Sequence, residues 1–177
     1  TRPAKRNALN DGLILAIRDA FQNLPASVKA AVIDGEGEHF CAGLDLSELS
    51  ERDAAEGVFH SRMWHAALEC VEKGTVPVIA ALHGAVVGGG LELASACHIR
   101  VADATTFFAL PEGSRGIFVG GGGAVRVPKL VGAHRMMHMM LTGRVYKAAE
   151  GVSIGMAQSH GPAGQALAKA IELAERI

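Results

Sequence analysis

The sequence predicts an α/β fold in which at least part of the sheet is parallel. Short apolar runs of strand length alternate along the chain with longer segments whose apolar residues recur at helical spacing. This alternation is typical of crossover units, in which a helix connects two parallel strands. The chain has no repeat, no low-complexity tract and no linker, so we expect one domain over its 177 residues.

Two helices and two strands are predicted in the first half of the chain. Asn10 is suited to cap a helix that runs to about Leu24, because its apolar residues form one stripe and a proline follows. The apolar run Ala30–Ile33 precedes a turn sequence rich in Asp and Gly, which predicts a buried strand. Asp53–Lys73 again shows helical spacing, and Pro77–Leu82 predicts the next buried strand.

The second half of the chain continues the alternation. His98–Ala102 and Thr106–Leu110 are short apolar runs that predict two more strands. The remaining helices are predicted at 124–130, at 134–141 and from about Pro162 onward.

The composition narrows the classes of function. The net charge is −1 and no stretch concentrates Lys and Arg, so nucleic acids and anionic membranes are poor partners. Cys41, Cys70 and Cys97 are far apart and form no CxxC pair, which favours a reduced, cytoplasmic setting. The chain opens without Met and stops within a predicted helix, so we expect it to be partial at both ends.

Two segments rich in small residues follow predicted strands, at His39–Leu46 and His83–Leu93. Ligands of open α/β sheets bind beyond the strand ends. A helix beginning near Gly90 would direct the positive end of its dipole at developing negative charge. One N–H group from each segment could then form an oxyanion hole for a thioester carbonyl. The alternative is that these glycines serve only tight turns and close packing.

Two glutamates stand in apolar surroundings. Glu92 follows a glycine triplet within an apolar helix, and Glu112 follows a predicted strand and a proline. A buried carboxylate needs a partner, a raised pKa or a chemical role, and general acid/base catalysis uses such groups. The alternative for each glutamate taken alone is a solvated or capping residue.

Several short segments occur in an order that is characteristic of one superfamily. They are Arg2–Leu9, Phe40–Leu46, Pro77–Gly84, Gly88–Ala94, Ala102–Asp103, Phe108–Glu112 and Leu141–Gly143. Together they resemble the core of the crotonase (enoyl-CoA hydratase/isomerase) superfamily over nearly the whole chain. The resemblance implies a spiral of ββα units that assembles as a homotrimer or a dimer of trimers, with the C-terminal helical part of the family largely missing.

The resemblance also implies a set of site residues. Glu92 and Glu112 fall where hydratases carry both catalytic glutamates, and the backbone N–H groups of Leu44 and Gly89 fall at the oxyanion hole. Positions implied to bind the substrate or its CoA are Lys5, Arg6, Ala42, Asp45, Leu46, Gly88, Pro111 and Gly120. For Lys5 and Arg6, solvated surface charge is an equally good interpretation. No metal or separate cofactor is implied, since CoA is part of the substrate.

The implied reaction is the reversible syn addition of water to a 2-enoyl-CoA. The superfamily also hosts isomerases and hydrolases, and a non-catalytic acyl-CoA-binding subunit is a further alternative, but two glutamates favour a hydratase. Gly113–Gly120 lacks the proline of the common hydratase pattern and resembles hydratases of short or unusual acyl-CoAs, including the methylthioacryloyl-CoA type. Within this segment, Arg115 could lower the pKa of Glu112 or bind a polar substrate group, and Phe118 could reshape the acyl pocket.

Three other patterns favour competing functions only weakly. Gly151–Gly155 matches the G-x-S-x-G motif of serine hydrolases, but the preceding residues favour a helix where that motif needs a strand. The run Gly120–Gly123 lacks the remaining residues of a phosphate-binding loop. His134 and His138 are one helical turn apart, but the methionines around them indicate a packed helix rather than a metal site.

Overall fold

The computed structural model describes residues 1–48 and 53–177, and these residues form two small sheets flanked by helices. The helices are α1 (Asp11–Gln22), α2 (Ala54–Glu72), α3 (Gly89–Ala96), α4 (Gly123–Val131), α5 (Ala133–Thr142), α6 (Ala148–Ser153) and α7 (Ala166–Ala174). The strands are β1 (Ala31–Asp34), β2 (Val78–Leu82), β3 (Ala85–Val87), β4 (Ile99–Asp103), β5 (Phe107–Ala109), β6 (Tyr146–Lys147) and β7 (Ser159–Gly161). Short 3₁₀ helices cover Pro3–Lys5, Leu46–Glu48 and Pro111–Arg115.

The larger sheet has the strand order β1-β2-β4-β7, and every neighbouring pair is parallel. β2 is buried at all five positions, as expected for an inner strand covered on both faces. One face contacts α7 through Ile79, Ala81 and Val101. The other face contributes Val78 and Leu82 to the main core. The predicted α/β class with parallel pairing is confirmed.

The smaller sheet has the order β3-β5-β6, with a parallel and an antiparallel pair. The chain after β1 extends it, because Cys41 forms a parallel bridge with Val86. A second bridge joins Leu9 to Leu44. β3 lies inside the segment His83–Leu93, which is rich in small residues and in which we predicted no strand. Three apolar residues between glycines are too few to show a strand period.

Several predicted boundaries differ from the structure. α1 ends at Gln22 rather than near Leu24, because the backbone of Asn23 leaves the helical conformation at φ −113° and ψ 25° and its side-chain amide donates to the Asp19 carbonyl. α7 begins at Ala166 rather than near Pro162. Its preceding turn is held by a 2.7 Å bond from the Gly164 N–H group to Asp103 Oδ2, which fixes this segment outside the helix.

The first turn of α2 carries a capping box. The Asp53 carboxylate accepts from the Glu56 N–H group at 2.8 Å, and the Glu56 carboxylate accepts from the Asp53 N–H group at 3.1 Å. α2 then packs against α1 and α3 and contributes Trp64, Leu68 and Val71 to the core. Among the helices of the described residues, none has the length and apolar character that crossing a membrane requires.

Candidate active site

A cavity of about 490 Å³ lies between α2, α3 and the 3₁₀ helix Pro111–Arg115. Its lining includes five of the residues predicted for the site: Leu44, Gly89, Glu92, Glu112 and Gly120. Its other lining residues are Asp11, Gly57, His60, Ser61, Trp64, Gly116, Ile117, Phe118 and Gly121. The fold therefore brings both glutamates and both predicted oxyanion positions to one cavity.

Glu92 is held at this cavity by backbone donors. It lies in the first turn of α3 and is only 3% exposed. Its Oε1 accepts hydrogen bonds from the N–H groups of Gly121 at 2.8 Å and Gly123 at 2.7 Å. Burial raises the pKa of Glu92, while these two N–H groups and the Arg126 cation oppose the rise. The donors keep one carboxylate oxygen in place beside the cavity.

Glu112 has a different environment, although it is 5% exposed and equally buried. Its Oε2 is buried without a hydrogen-bond partner among the described residues. Desolvation raises the pKa of Glu112 to about 7, and the nearby Glu92 charge adds to the rise. Arg115 lowers the pKa of Glu112, as expected, but its effect is smaller than that of desolvation, so the net shift is upward. An oxygen with this environment is free to exchange a proton with a bound molecule.

The backbone amides of Leu44 and Gly89 lie close together at the cavity wall. A Cβ atom at Gly89 would lie 3.6 Å from the Leu44 nitrogen and 3.3 Å from the Trp64 ring. A Cβ atom at Gly43 would lie 3.5 Å from the Gly89 nitrogen. Because Gly89 is the first residue of α3, its N–H group has no carbonyl of its own helix to bond. The two amides can therefore serve as a pair of donors for one oxygen atom.

Glycines bring the chain into direct contact with both carboxyl groups. A Cβ atom at Gly88 would lie 2.5 Å from Glu112 Oε1, and Gly88 has φ +52°, where side chains are rarely tolerated. A Cβ atom at Gly123 would lie 2.7 Å from Glu92 Cγ. Gly88, predicted as a substrate-binding residue, thus packs on Glu112 and does not line the cavity within the described part of the chain.

The two segments predicted to bind CoA lie side by side. The Leu9 N–H group donates to the Gly43 carbonyl at 2.7 Å, and the Ala42 N–H group donates to the Arg6 carbonyl at 3.0 Å. Lys5, Arg6 and Leu46 are exposed on these segments, whereas Pro111 is half-buried. Their role in CoA binding stays a prediction.

Asp45 has a structural partner rather than a free carboxylate. It is buried, and its Oδ2 accepts a 2.8 Å hydrogen bond from Arg2. The Ser47 hydroxyl donates to Oδ1 at 2.6 Å. The Ser47 hydroxyl, followed by Arg2, holds the pKa of Asp45 down at about 2. These contacts fix the loop that carries Leu44, so Asp45 can support the site without touching a substrate.

Sequence reasoning missed other residues at the cavity. Asp11 Oδ1 lies 2.7 Å from His60 Nε2 and accepts a 3.1 Å hydrogen bond from Trp64 Nε1. The pattern of α2 predicted a buried stripe but could not show which of its residues face a cavity. Gly121 and Gly123 could have been found, because a run of four glycines is an unusual local signal.

The competing patterns have no supporting geometry. Ser153 is the last residue of α6, and its hydroxyl donates to the Glu150 carbonyl at 2.7 Å, so it does not occupy a strand-to-helix turn. His134 and His138 are exposed on α5. Within residues 1–48 and 53–177, no group of three or more His, Cys, Asp or Glu side chains could hold a metal ion.

Comparison with known proteins identifies the family of the chain. The profile described as enoyl-CoA hydratase/isomerase matches residues 1–177. The chain belongs to this family. The predicted membership of the crotonase superfamily is thereby confirmed. The predicted crotonase-like fold is also confirmed, because solved members of the enoyl-CoA hydratase/isomerase family superpose on the chain.

One such structure, a putative enoyl-CoA hydratase from Rhodopseudomonas palustris, is 61% identical with a TM-score of 0.97, covering 99% of this chain and 68% of that one. Another, from Streptomyces coelicolor, is 34% identical with a TM-score of 0.93, covering 99% and 66%.

Curated family members are longer than this chain. A probable mitochondrial enoyl-CoA hydratase 2 of Arabidopsis thaliana is 34% identical over 179 residues, which cover 99% of this chain and 60% of the relative. The alpha subunit of a fatty acid oxidation complex of Shewanella amazonensis is 39% identical over 153 residues, covering 84% of this chain and 22% of the relative. The chain thus spans 60% or less of these two relatives.

Proposed function

We propose that the protein is an enoyl-CoA hydratase, which adds water reversibly across the double bond of a 2-enoyl-CoA. The observation that carries the proposal is the pair of buried glutamates at one cavity beside two adjacent backbone amides. Two carboxyl groups at one cavity suit the addition of both parts of a water molecule.

The reaction proceeds without a net change in protons on the protein. Water attacks the β-carbon of the thioester and gives one proton to a carboxylate, while a carboxylic acid gives one proton to the α-carbon. The negative charge that develops on the thioester oxygen is stabilised by the N–H groups of Leu44 and Gly89. Losing one such donor typically costs about 3 kcal/mol, or roughly a hundredfold in rate.

The two environments suggest which glutamate has which role. Glu92 accepts two N–H hydrogen bonds, which favour its charged form, so it is suited to take the proton from water. Glu112 has a pKa of about 7 and an unpaired oxygen, so it is suited to supply the proton to the α-carbon. After addition, proton exchange with solvent or the reverse reaction restores the starting states.

The substrate is proposed to lie with its thioester at the two amides and its CoA along the paired segments Arg2–Leu9 and Ala42–Leu46. Lys5 and Arg6 are exposed on the first segment and offer cations to CoA phosphates. The relatives named for hydratases and for a fatty acid oxidation complex support a role in acyl-CoA metabolism. We also propose that the protein is cytoplasmic, assembles as a homotrimer or a dimer of trimers, and needs no separate cofactor.

A panel assay with the full-length protein tests this function. Hydration of crotonyl-CoA and of enoyl-CoAs with branched, aromatic or thioether acyl groups is followed by the loss of the ultraviolet absorbance of the conjugated enoyl thioester. We expect turnover of at least one short enoyl-CoA. Glu92→Gln and Glu112→Gln should each lower kcat by roughly 10²–10⁴-fold, because each removes one proton carrier.

The same panel distinguishes the alternatives. Release of free CoA without hydration indicates a hydrolase, and double-bond migration without water addition indicates an isomerase. Tight binding of CoA esters with no turnover across the panel indicates a non-catalytic subunit. Any of these results contradicts the hydratase proposal.

A further inference from the structure

The run Gly120–Gly123, here called the glycine loop, is connected to α2 through its first two residues. At its start, the Ser61 hydroxyl donates to the Gly120 carbonyl at 2.9 Å. At the next residue, Arg126 Nη1 donates to the Gly121 carbonyl at 2.9 Å. Arg126 Nε also donates to Glu72 Oε2 at 2.7 Å, and Glu72 is the last residue of α2. A single buried guanidinium therefore joins the loop to a helix that lines the cavity.

The fastened loop is the same one that holds Glu92. Its Gly121 and Gly123 N–H groups are the two donors to Glu92 Oε1. Gly121 is the shared residue, because its carbonyl is held by Arg126 and its N–H group holds Glu92. A shift of this residue would move the Glu92 carboxylate or remove one of its donors.

The chemistry of Arg126 suits this task. Its side chain is 6% exposed, so its bonds are protected from competition by water. A guanidinium can donate to a carboxylate and to a carbonyl at the same time through separate N–H groups with fixed directions. A lysine ammonium on its flexible side chain fixes two such acceptors less rigidly. Gly122 leaves the space that the guanidinium fills, because a Cβ atom there would overlap Arg126 Nη1.

We propose that Arg126 is a positioning residue that clamps the glycine loop, so that two of its N–H groups hold the Glu92 carboxylate at the cavity. The kinetic part of this inference rests on the proposed hydratase function. Its structural part concerns Glu92 alone and can be tested without turnover.

The charges around this clamp determine the expected direction of any titration shift. Glu92 faces the Arg126 cation and the Glu112 carboxyl group. Arg126 faces charged or titratable groups of α2 and α4 across a shallow depression: His65, Glu69, Glu72, Lys73 and Lys129. Removal of the Arg126 cation removes an interaction that favours the Glu92 carboxylate, so Glu92 should hold its proton to higher pH.

The first measurement is the titration of the Glu92 carboxyl carbon by NMR in the full-length protein labelled with ¹³C-glutamate, assigned with Glu92→Gln. Arg126→Gln should raise the titration midpoint of Glu92 by about 0.5–1 pH unit. Arg126→Lys keeps the charge, so its midpoint should stay closer to that of the parent. In turnover, both variants should lower kcat by roughly 10–100-fold with a smaller change in KM, because the carboxylate is displaced.

Arg100→Gln is the matched control. Arg100 is also a buried arginine and donates to the carbonyls of Met156 at 2.8 Å and Cys97 at 2.6 Å, but it does not line the cavity of the described residues. Arg100→Gln measures how far the loss of any buried guanidinium changes the Glu92 titration midpoint and kcat. An unchanged Glu92 midpoint in Arg126→Gln, or an equal shift in Arg100→Gln, overturns the proposal.

Glu72→Gln keeps the inference testable if Arg126→Gln does not fold. Glu72 is partly exposed, and glutamine preserves an acceptor for Arg126. Arg126 then loses its counter-charge, so the Glu92 midpoint should move to lower pH, opposite to the shift in Arg126→Gln. A rise or no movement overturns the clamp. Failure of the hydratase proposal is recognised separately, as a parent protein with no hydration activity.

Discussion

Glu92 and Glu112 line the same cavity and are almost equally buried, yet their carboxyl groups are held in opposite ways. Glu92 Oε1 accepts two backbone N–H groups within 2.8 Å. Glu112 Oε2 has no hydrogen-bond partner among the described residues, and the pKa of Glu112 is raised to about 7. The comparison shows that burial alone does not assign a proton carrier its role. The number of donors that meet each oxygen makes the difference.

The two environments arise from different local structures. Glu92 lies inside a helix, and its donors come from the glycine loop about 30 residues later in the chain, which forms a turn over it. Glu112 lies in a 3₁₀ helix, directly against the backbone of Gly88. Contact with a backbone Cα fixes the Glu112 carboxyl group in position without donating a hydrogen bond to it. Position and charge stabilisation are thus supplied by separate glycines.

Among the variants that leave both glutamates in place, the largest effect is expected from filling the space that Gly88 leaves for Glu112. In Gly88→Ala, the new Cβ atom would lie 2.5 Å from Glu112 Oε1, so the carboxyl group must move. We expect kcat to fall by roughly 100-fold, because a displacement of about 1 Å in a proton carrier has costs of this order. Steady-state hydration kinetics of the purified variant measure this loss.

Gly143→Ala separates this contact from backbone strain. Gly143 has φ +71° and open space around its Cα, so alanine there introduces strain of about 1 kcal/mol without a new contact. Gly88 has φ +52° and ψ −121°, which strains alanine more than the left-handed helical conformation of Gly143, so we expect the larger loss of thermal stability in Gly88→Ala. A large loss of kcat is expected only in Gly88→Ala, because only there does the new Cβ atom meet a carboxyl group. Equal kcat values in the two variants would mean that Gly88 does not position Glu112.

A smaller effect is expected on stability from Glu112 itself. The pKa of Glu112 rises from 4.5 to about 7 on folding, so the folded state holds the proton more tightly than the unfolded state. Below pH 4.5 the group is protonated in both states, so its ionisation does not affect the free energy of unfolding. As the pH rises from 4.5 to about 7, the raised pKa increasingly lowers the free energy of unfolding. Allowing for partial solvent screening, we expect Glu112→Gln to stabilise the protein at pH 8 by about 1–2 kcal/mol.

Urea unfolding of the parent and of Glu112→Gln at pH 4.5 and pH 8 measures this difference. The exposed Glu38 provides the control, because Glu38→Gln changes the same functional group without burial. The gain should grow with pH in Glu112→Gln and stay small in Glu38→Gln. A loss of stability in Glu112→Gln at pH 8 would show that the carboxylate has a stabilising partner.

The parts of the fold with strong periodic patterns were predictable. β2 has five consecutive buried residues, and its apolar run indicated a strand without any knowledge of its neighbours. β7 could not be predicted in this way, because Ser159, His160 and Gly161 are not apolar. It is a strand only because it pairs with β4, through Val101 and Ser159 among others. Pairing between distant segments leaves no local signal in such a short polar strand.

The site could be predicted where local sequence carries its signal. Glu92 and Glu112 stand out because each is an acid among apolar residues beside glycine or proline. Arg126 could not be found from the sequence, because its partner Glu72 is 54 residues away and arginines are common on helices. The contact of Gly88 with Glu112 could not be predicted either, since sequence alone cannot show which group approaches a glycine. Long-range packing decides both cases.

The smallest expected effect concerns Arg115, the cation that opposes the raised pKa of Glu112. Arg115 is exposed, so water and salt screen its interaction with the buried carboxyl group. In Arg115→Gln, Glu112 should keep its proton to a pH higher by a few tenths of a unit. If Glu112 supplies the proton to the α-carbon, the pH midpoint of the alkaline limb of kcat/KM rises by that amount. The rise should be smaller at 1 M salt, where the Debye length is about 3 Å. Arg176→Gln at the C-terminal end of α7 is the control for a lost surface cation. An upward shift of the acidic limb of kcat/KM in Arg115→Gln, with the alkaline limb unmoved, would instead make Glu112 a group that acts in its ionised form, and would reverse the roles that the comparison assigns to the two glutamates.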